Sequence, residues 1–213
     1  MIEYATFSIV AVDPCTGEIA SAIASCAFAV GFAVPYFNSH GVVHTQHHAS
    51  PSIAADILSN LGKGVHPSEA IQTSLNNDPG REKRQMLCLN LNGVGAAFTG
   101  VECQGKYHQI VGHNFVVAGN TLTNEQAIDA MAEAFNVSDK KPMSLRLLSA
   151  LIAGEVAGGD KRGKQSASLK VVNPRDPERW YMYPDLRVDD HHNPLDELNR
   201  LHGIFMQKKL SRN

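Results

Sequence analysis

The stretch that decides the fold consists of two apolar runs, Thr6-Phe7-Ser8-Ile9-Val10-Ala11-Val12-Asp13 and Gly17-Glu18-Ile19-Ala20-Ser21-Ala22-Ile23-Ala24-Ser25. The short loop between them contains a proline and a glycine, which is typical of a β-hairpin. Both runs are rich in Ala, Val and Ile without strict alternation of apolar and polar residues. This pattern favours strands in a sheet that is covered on both faces.

The rest of the chain alternates further strands with helices that come in pairs. Strands are predicted near residues 41–45, 85–90, 95–99, 115–118 and 165–172. Helices are predicted to begin at Pro51, Pro67, Pro142 and Asn193, and a further one at Thr123, where the spacing to Gln126 matches a capping box. Paired helices argue against repeated βαβ units. The order favours an α+β, four-layer αββα sandwich, with two sheets between two helical layers.

Length and composition set the broad class of the protein. The 213 residues predict one domain over residues 1–213, of which 193–213 form a C-terminal helical extension. A net charge of -2 gives no reason to expect nucleic acid or an anionic membrane as a partner. The four cysteines form no CxxC pair, which favours reduced thiols. No Lys or Arg precedes Lys63, so the charged start of a secretory signal is missing, and we expect a cytoplasmic protein.

Thr6 is the first candidate catalytic residue because it heads the first strand. One catalytic design uses a hydroxyl or thiol in this position as the nucleophile, with the freed α-amine of the same residue as the base. Five residues, Met1 to Ala5, precede Thr6 in this chain. A free α-amine titrates near ~8, whereas a peptide nitrogen has no such basicity. The design therefore requires that the bond between Ala5 and Thr6 is cleaved.

The most unusual segment, residues 158–167, joins a predicted helix to an apolar strand. It contains three glycines, which allow close approach of a ligand to the backbone, together with Asp160 and Arg162. Gln165 and Ser166 are polar where the strand should enter the core. A solvated loop between a helix and a strand is the simpler interpretation of the same residues.

Two other segments offer polar candidates. Arg81 and Arg84 lie in a turn and can bind a carboxylate or phosphate through their guanidinium geometry, although a charged surface turn explains them equally well. Gln46 ends a predicted strand, and Asn120 precedes a predicted helix, where an amide donor suits a developing oxyanion. A Gly-Asn turn is the structural alternative for Asn120.

Several motifs taken together resemble a known bacterial family, the domain-of-unknown-function family 1028. The motifs are Thr6 to Ala11, Asp78 to Glu82, Ala97 to Gly100, Gly158 to Ala167 and Asp185 to His191. The resemblance covers nearly the whole chain and implies the N-terminal-nucleophile (Ntn) hydrolase fold, an αββα sandwich. It implies no settled reaction.

A looser resemblance to proteasome-like members of that superfamily implies roles for individual residues. Thr6 is placed as the nucleophile, Gln46 near an oxyanion-binding amide, and Asp160 and Ser166 as the carboxylate and hydroxyl around the amine. Such enzymes also carry a lysine that lowers the proton affinity of the amine. The segment 26–45 contains no Lys or Arg, so nothing in it can take that role.

The favoured hypothesis is an amidohydrolase that needs no cofactor and no metal and acts on a small or peptide-like substrate. Thr6 attacks the amide carbon, Gln46 and Asn120 hold the oxyanion, and Asp160 and Ser166 orient the base. An anionic end of the substrate is expected to contact polar side chains drawn from Arg81, Arg84, Arg162 and Gln165. By analogy with similar sandwich folds, we expect a homodimer.

Two alternatives stay open. The first is a protein of the same fold that binds a small anionic metabolite or cell-wall fragment without chemistry, which the missing lysine and the residues before Thr6 favour. The second is a metal-dependent enzyme built on His44 and His48, against which the lack of an HExxH motif counts.

Overall fold

The computed structural model describes residues 3–211, so the ends of the predicted domain, residues 1–2 and 212–213, lie outside the described residues. The strands are β1 (Glu3–Tyr4), β2 (Thr6–Asp13), β3 (Glu18–Ser25), β4 (Pro35–Asn38), β5 (Gly41–His48), β6 (Arg84–Asn90), β7 (Gly95–Thr99), β8 (Lys106–Gly112), β9 (Phe115–Leu122), β10 (Ser166–Val172) and β11 (Asp185–Val188). The α-helices are α1 (Val30–Ala33), α2 (Pro51–Gly62), α3 (Pro67–Leu75), α4 (Gln126–Val137), α5 (Met143–Val156) and α6 (Pro194–Leu210). Two 3-10 turns cover Arg81–Lys83 and Pro177–Met182.

The strands form two antiparallel sheets. The first sheet has the order β11-β10-β3-β2-β9-β8, and the second has the order β1-β5-β6-β7 with β4 also paired to β5. The predicted hairpin of β2 and β3 lies in the middle of the first sheet, with Thr6 opposite Ser25 and Asp13 opposite Glu18. This hairpin therefore has neighbouring strands on both sides, β10 next to β3 and β9 next to β2.

The layers follow from the alternation of side chains along the strands. Phe7 and Ile9 of β2 point away from the second sheet and pack against α4 and α5. Val10 points the other way, into an apolar cluster shared with Leu87 and Leu89 of the second sheet. The outer face of the second sheet packs against α2 and α3. The result is helices, sheet, sheet and helices, which confirms the predicted α+β sandwich.

The starts of the helices are largely as the sequence predicts, with one exception. Proline stands at the first helical position of α2, α3 and α6. The capping box predicted for α4 is wrong. Thr123 donates its hydroxyl to the carbonyl of Gly158 (2.9 Å), and the helix is capped by Asn124, whose Oδ1 accepts a hydrogen bond from the Ala127 amide (3.2 Å). The Thr123 hydroxyl is used in this hydrogen bond to the glycine-rich loop and does not cap the helix.

The last helix, α6, joins the core at its start. Leu195 and Leu198 are buried in the same apolar cluster as the helix-facing residues of the first sheet. The second half of the helix is more exposed. Among residues 3–211, no helix combines the length and the apolar character that crossing a bilayer requires.

Candidate functional site

A row of polar side chains crosses one end of the first sheet. Ser166 of β10 is opposite Ser25 of β3, and Ser25 is opposite Thr6 of β2. Phe7 pairs with the residue before Asn120, so Asn120 of β9 lies beside Thr6. All four polar residues are at most 2% exposed. Because Phe7 faces the helices, Thr6 and its lateral neighbours face the space between the two sheets.

The carbonyl of the peptide bond between Ala5 and Thr6 accepts two hydrogen bonds. Ser25 Oγ donates one at 2.6 Å, and Arg162 Nη2 donates the other at 2.8 Å. The adjoining Thr6 hydroxyl is buried and has no hydrogen-bond partner within residues 3–211. An unpaired hydroxyl therefore stands beside a carbonyl that is polarised by a hydroxyl and by a cation.

Asp160 fixes the guanidinium of Arg162. Arg162 Nη2 donates to Asp160 Oδ2 at 2.7 Å, and Arg162 Nε donates to Asp160 Oδ1 at 3.1 Å. The same carboxylate accepts from the amides of Arg162 (2.9 Å) and Cys26 (3.1 Å). The hydrogen bonds from Arg162 to Asp160 raise the pKa of the guanidinium above its ordinary value, so it stays charged. Asp160 thus holds in place the guanidinium that donates to the Ala5 carbonyl.

The segment before Thr6 covers this site. Glu3 and Tyr4 form β1 in the second sheet, while Thr6 begins β2 in the first sheet. Ala5, which is fully buried, spans the gap between the two sheets. With this segment in place, the hydroxyl of Thr6 is closed off from solvent.

A cleft of about 310 Å3 is lined by both residues that donate to the Ala5 carbonyl. Its walls come from the glycine-rich loop, residues 158–164, and from Ser25 and Pro194 among others. Thr6 does not line it. The two donors to the Ala5 carbonyl, Ser25 and Arg162, do line it, so they connect the cleft to the buried peptide bond.

The predicted amide donors belong to a buried polar network between the sheets. Ser8 Oγ donates to Gln46 Oε1 (2.8 Å), and Gln46 Nε2 donates to Gln85 Oε1 (2.6 Å). Gln85 Oε1 also accepts from Asn120 Nδ2 (2.9 Å), and Gln85 Nε2 donates to Thr99 Oγ1 (2.9 Å). Gln46 and Asn120 therefore do not contact the Ala5 carbonyl. The donors described for that carbonyl are Ser25 and Arg162.

His44 is the other end of this network and is held as a neutral ring. Burial lowers its pKa from 6.5 to about 3. Its Nδ1 lies 2.9 Å from Ser8 Oγ, and its Nε2 lies 2.6 Å from Ser21 Oγ. Because Ser8 gives its proton to Gln46, Nδ1 carries the ring proton and Nε2 accepts from Ser21. Both nitrogens are occupied, so His44 is not available as the metal ligand of the second alternative.

The two arginines of the charged turn lie elsewhere. Arg84 is buried and donates to both carboxylate oxygens of Asp78 at 2.8 and 3.1 Å, which lowers the pKa of Asp78. The guanidinium of Arg81 lies over the ring of Phe98, 5.1 Å from its centroid. These contacts anchor the turn to the second sheet, and neither arginine reaches Thr6 through a hydrogen bond described for residues 3–211.

Gln165 and Ser166 hold neighbouring backbone in place. Gln165 Nε2 donates to Asp190 Oδ1 at 3.0 Å. Ser166 Oγ donates to the Ala27 carbonyl (2.5 Å) and accepts from the Val30 amide (3.1 Å). Ser166 thus shares the polar row with Thr6, but its hydrogen bonds are directed to the segment that leads into α1.

Two residues near this end of the sheets have strained backbone. His47 and Thr121 have φ angles of 63° and 54°, in the left-handed region that non-glycine residues seldom adopt and that is least favourable for a β-branched residue such as Thr121. Each such residue costs about 1–3 kcal/mol and needs surrounding structure to hold it. Here Gln104 links the two: its amide donates to His47 Nε2 (3.2 Å), and its carbonyl accepts from the Thr121 amide (3.0 Å). Strain of this kind is concentrated at functional sites in proteins.

Sequence reasoning missed Ser25 and Gln85. A signal for Ser25 was present, because the loop that joins Asp13 to Glu18 sets the register in which Thr6 meets Ser25. For Gln85 the only signal was a polar residue at the start of a predicted strand.

Comparison with known proteins gives a family but no reaction. The crystal structure of protein SPO2555 from Silicibacter pomeroyi, a protein of the same family, is 35% identical to this chain, with a TM-score of 0.84 over 93% of this chain and 88% of that chain. No curated protein matches the chain. The model of a family described as a family of unknown function, DUF1028, matches residues 6–198. The chain therefore belongs to the DUF1028 family.

Proposed function

We propose that this chain is the latent form of an N-terminal-nucleophile amide hydrolase that is activated by cleavage between Ala5 and Thr6. The observation that carries the proposal is the Ala5 carbonyl, which Ser25 Oγ holds at 2.6 Å and Arg162 Nη2 at 2.8 Å beside the unpaired Thr6 hydroxyl. A buried hydroxyl without a partner is costly, so its position calls for an explanation.

The bonds that form and break in the activating step belong to two neighbouring residues, Ala5 and Thr6. Thr6 Oγ1 attacks the carbonyl carbon of Ala5, the hydroxyl proton passes to the amide nitrogen, and the carbon–nitrogen bond breaks. The product is an ester between Ala5 and the Thr6 oxygen, which water hydrolyses to a carboxylate and a free hydroxyl. Ser25 and Arg162 stabilise the negative charge that develops on the carbonyl oxygen.

The cleaved protein has a base that the latent form lacks. The α-amine of Thr6 is released within about 5 Å of Arg162, because the nitrogen and oxygen of one peptide unit are close together. A nearby positive charge disfavours the protonated amine and lowers its pKa, which suits a base at neutral pH. Arg162 thus takes the role of the lysine that the segment 26–45 lacks, moderated by its pairing with Asp160.

In turnover, the same groups act on an external amide. The Thr6 hydroxyl attacks the amide carbon, its own amine takes the proton, and Ser25 and Arg162 hold the oxyanion. The carbon–nitrogen bond then breaks as the proton passes to the leaving amine, and water hydrolyses the ester on Thr6 to free the hydroxyl. The cleft of about 310 Å3 gives room for the leaving amine, with Lys161 and Arg162 in its wall to contact an anionic end.

One observation favours the second candidate, a binding protein without chemistry. Thr6 is fully buried, whereas the cleft beside it is open and carries the cationic side chains of Lys161, Arg162 and Lys164. A small anionic ligand fits that cleft while residues 3–5 stay in place.

Intact mass spectrometry of the purified protein over days of incubation separates the two functions. The hydrolase predicts a species that begins at Thr6, no cleavage in Thr6→Ala, and cleavage slowed about 100- to 1,000-fold in Ser25→Ala, the loss expected for one oxyanion donor. Ser168→Ala, a buried serine of β10 outside this cluster, should cleave like the parent protein. Wild-type protein that stays intact, or Thr6→Ala that is cleaved equally, would overturn the hydrolase and leave the binding function.

A further inference from the structure

We propose that residues 3–5 occupy the acyl side of the substrate site as a tethered ligand, so that the site takes extended peptides with an acidic, an aromatic and a small residue before the scissile bond. This inference rests on the proposed hydrolase function, because it assumes that the covered peptide bond marks the reacting position. The contacts of Glu3, Tyr4 and Ala5 with the rest of the chain indicate which side chains a bound peptide would carry.

The backbone of this segment is bound as an added strand. Glu3 is opposite His48 and Tyr4 is opposite His47, in antiparallel pairing with β5. On the same edge of β5, β4 is already paired with residues 41–44. When the segment leaves, the two histidines expose unpaired backbone groups at a sheet edge, and such an edge binds an extended peptide by strand addition. The presence of β4 limits the vacant stretch and sets where a peptide can pair.

Each side chain of the segment has a distinct environment. Ala5 is 0% exposed, so its methyl group is enclosed by protein, which suits a small residue at the first position. Tyr4 packs against an apolar cluster formed by Ile23, Val30 and Val34, which suits an aromatic side chain at the second position. At the third position, Glu3 Oε1 lies 3.2 Å from His47 Nε2, which suits a carboxylate when that nitrogen is protonated and donates to Glu3 instead of accepting from the Gln104 amide.

The carbonyl of the segment sets the reacting position. Strand pairing fixes Tyr4 on β5, and the next carbonyl, that of Ala5, is the one that Ser25 and Arg162 hold. A peptide that pairs with β5 in the same register therefore presents its scissile carbonyl to the same two donors, next to the Thr6 hydroxyl. The Ala5 carbonyl of the tethered segment and the scissile carbonyl of a substrate would then occupy the same position.

The tether explains why an added peptide should not bind the intact chain. A short covalent link gives the segment an effective concentration in the millimolar range, so a free peptide at micromolar concentration is excluded. Weakening the side-chain contacts of the segment lets it detach more often and opens the edge to competition.

The test uses the full chain in a Thr6→Ala background, in which cleavage cannot occur. Binding of fluorescein-labelled Ile-Glu-Tyr-Ala-amide is measured by fluorescence anisotropy, with and without Glu3→Ala and Tyr4→Ala. We expect at least 10-fold tighter binding to the variant with both substitutions. The matched control carries Glu102→Ala and Tyr107→Ala, the same residue types at exposed positions, and should bind like its parent. Peptides with Glu replaced by Lys, or in scrambled order, should bind about 10-fold more weakly.

Circular dichroism checks that the variants are folded. If the variant with both substitutions unfolds, Tyr4→Ala alone must show the same ranking of peptides. A folded variant that binds no peptide, or that binds the scrambled peptide equally, would overturn the inference without touching the hydrolase, which the cleavage assay tests separately. Peptide binding together with a wild-type protein that never cleaves would overturn the hydrolase and, with it, the assignment of this sheet edge to the acyl side of a substrate site.

Discussion

Replacing Gln85 by leucine should lower the free energy of unfolding by about 3–5 kcal/mol, a large part of the 5–15 kcal/mol typical of a domain. Gln85 is fully buried and its side chain makes four hydrogen bonds. Its carbonyl oxygen accepts from Gln46 Nε2 and Asn120 Nδ2, and its amide donates to Thr99 Oγ1 and to the Gly119 carbonyl.

The magnitude follows from which groups lose their partners. Without the Gln85 oxygen, Asn120 Nδ2 has no other acceptor among the hydrogen bonds described for residues 3–211, and Gln46 Nε2 keeps only a long contact of 3.4 Å to the Ala118 carbonyl. Each buried donor left unsatisfied costs about 1–3 kcal/mol. The carbonyl of Gly119 loses a donor as well, and the apolar burial of leucine offsets part of the total.

Urea denaturation followed by circular dichroism measures the loss. The single tryptophan, Trp180, is 74% exposed and is a poor probe of unfolding. Met86→Leu, a volume-conserving change in the same strand, should cost less than about 1.5 kcal/mol. In a double-mutant cycle, adding Gln46→Leu to Gln85→Leu should cost less than the sum of the single changes. A loss below about 1 kcal/mol for Gln85→Leu would refute the hydrogen-bond assignment.

Three further predictions concern other parts of the molecule. His44 is neutral when folded, with a pKa of about 3 against 6.5 ordinarily, so its contribution to stability is complete above pH 6.5 and is lost as the pH falls toward 3. The free energy of unfolding should therefore fall by up to about 1.4 kcal/mol for each pH unit between 6.5 and 3, and this dependence should be absent in His44→Leu when urea unfolding is measured across that range. Burial raises the pKa of Cys88 and Cys103 to about 12, so a thiol reagent at pH 8 should label exposed Cys15 in the native protein and reach these two only after unfolding. Asn124→Ala should cost about 1 kcal/mol in thermal unfolding because it removes the cap of α4, and an unchanged midpoint would contradict that assignment.

The parts of the fold that were predictable are those with strong local signals. Long apolar runs gave the central hairpin, and proline at the first helical position gave the starts of α2, α3 and α6. The strands that were missed lack such signals: β1 has two residues, β4 and β11 have four, and β8 is largely exposed and polar. Their strand conformation comes from pairing with neighbours that are distant in the sequence.

The candidate site was predictable only in outline. Thr6 and Asp160 were singled out from their positions relative to strands, and the structure connects Asp160 through Arg162 to the carbonyl of Ala5, the residue before Thr6. The contact from Arg162 to Ala5 joins residues 157 positions apart, so no local pattern reports it. Gln46 and Asn120 were recognised as unusual polar residues, but their partners depend on how the two sheets stack, which sequence periodicity does not encode.

The hydrogen-bonded network between the sheets also constrains how this protein can change during evolution. Ser8, Gln46 and Gln85 each satisfy more than one partner, so replacing any one alone leaves buried groups unmatched. An apolar replacement becomes tolerable only when the whole set is exchanged at once. Descendants of this sequence should therefore either keep all three residues, Ser8, Gln46 and Gln85, or replace them together. Single substitutions at these positions should be rare.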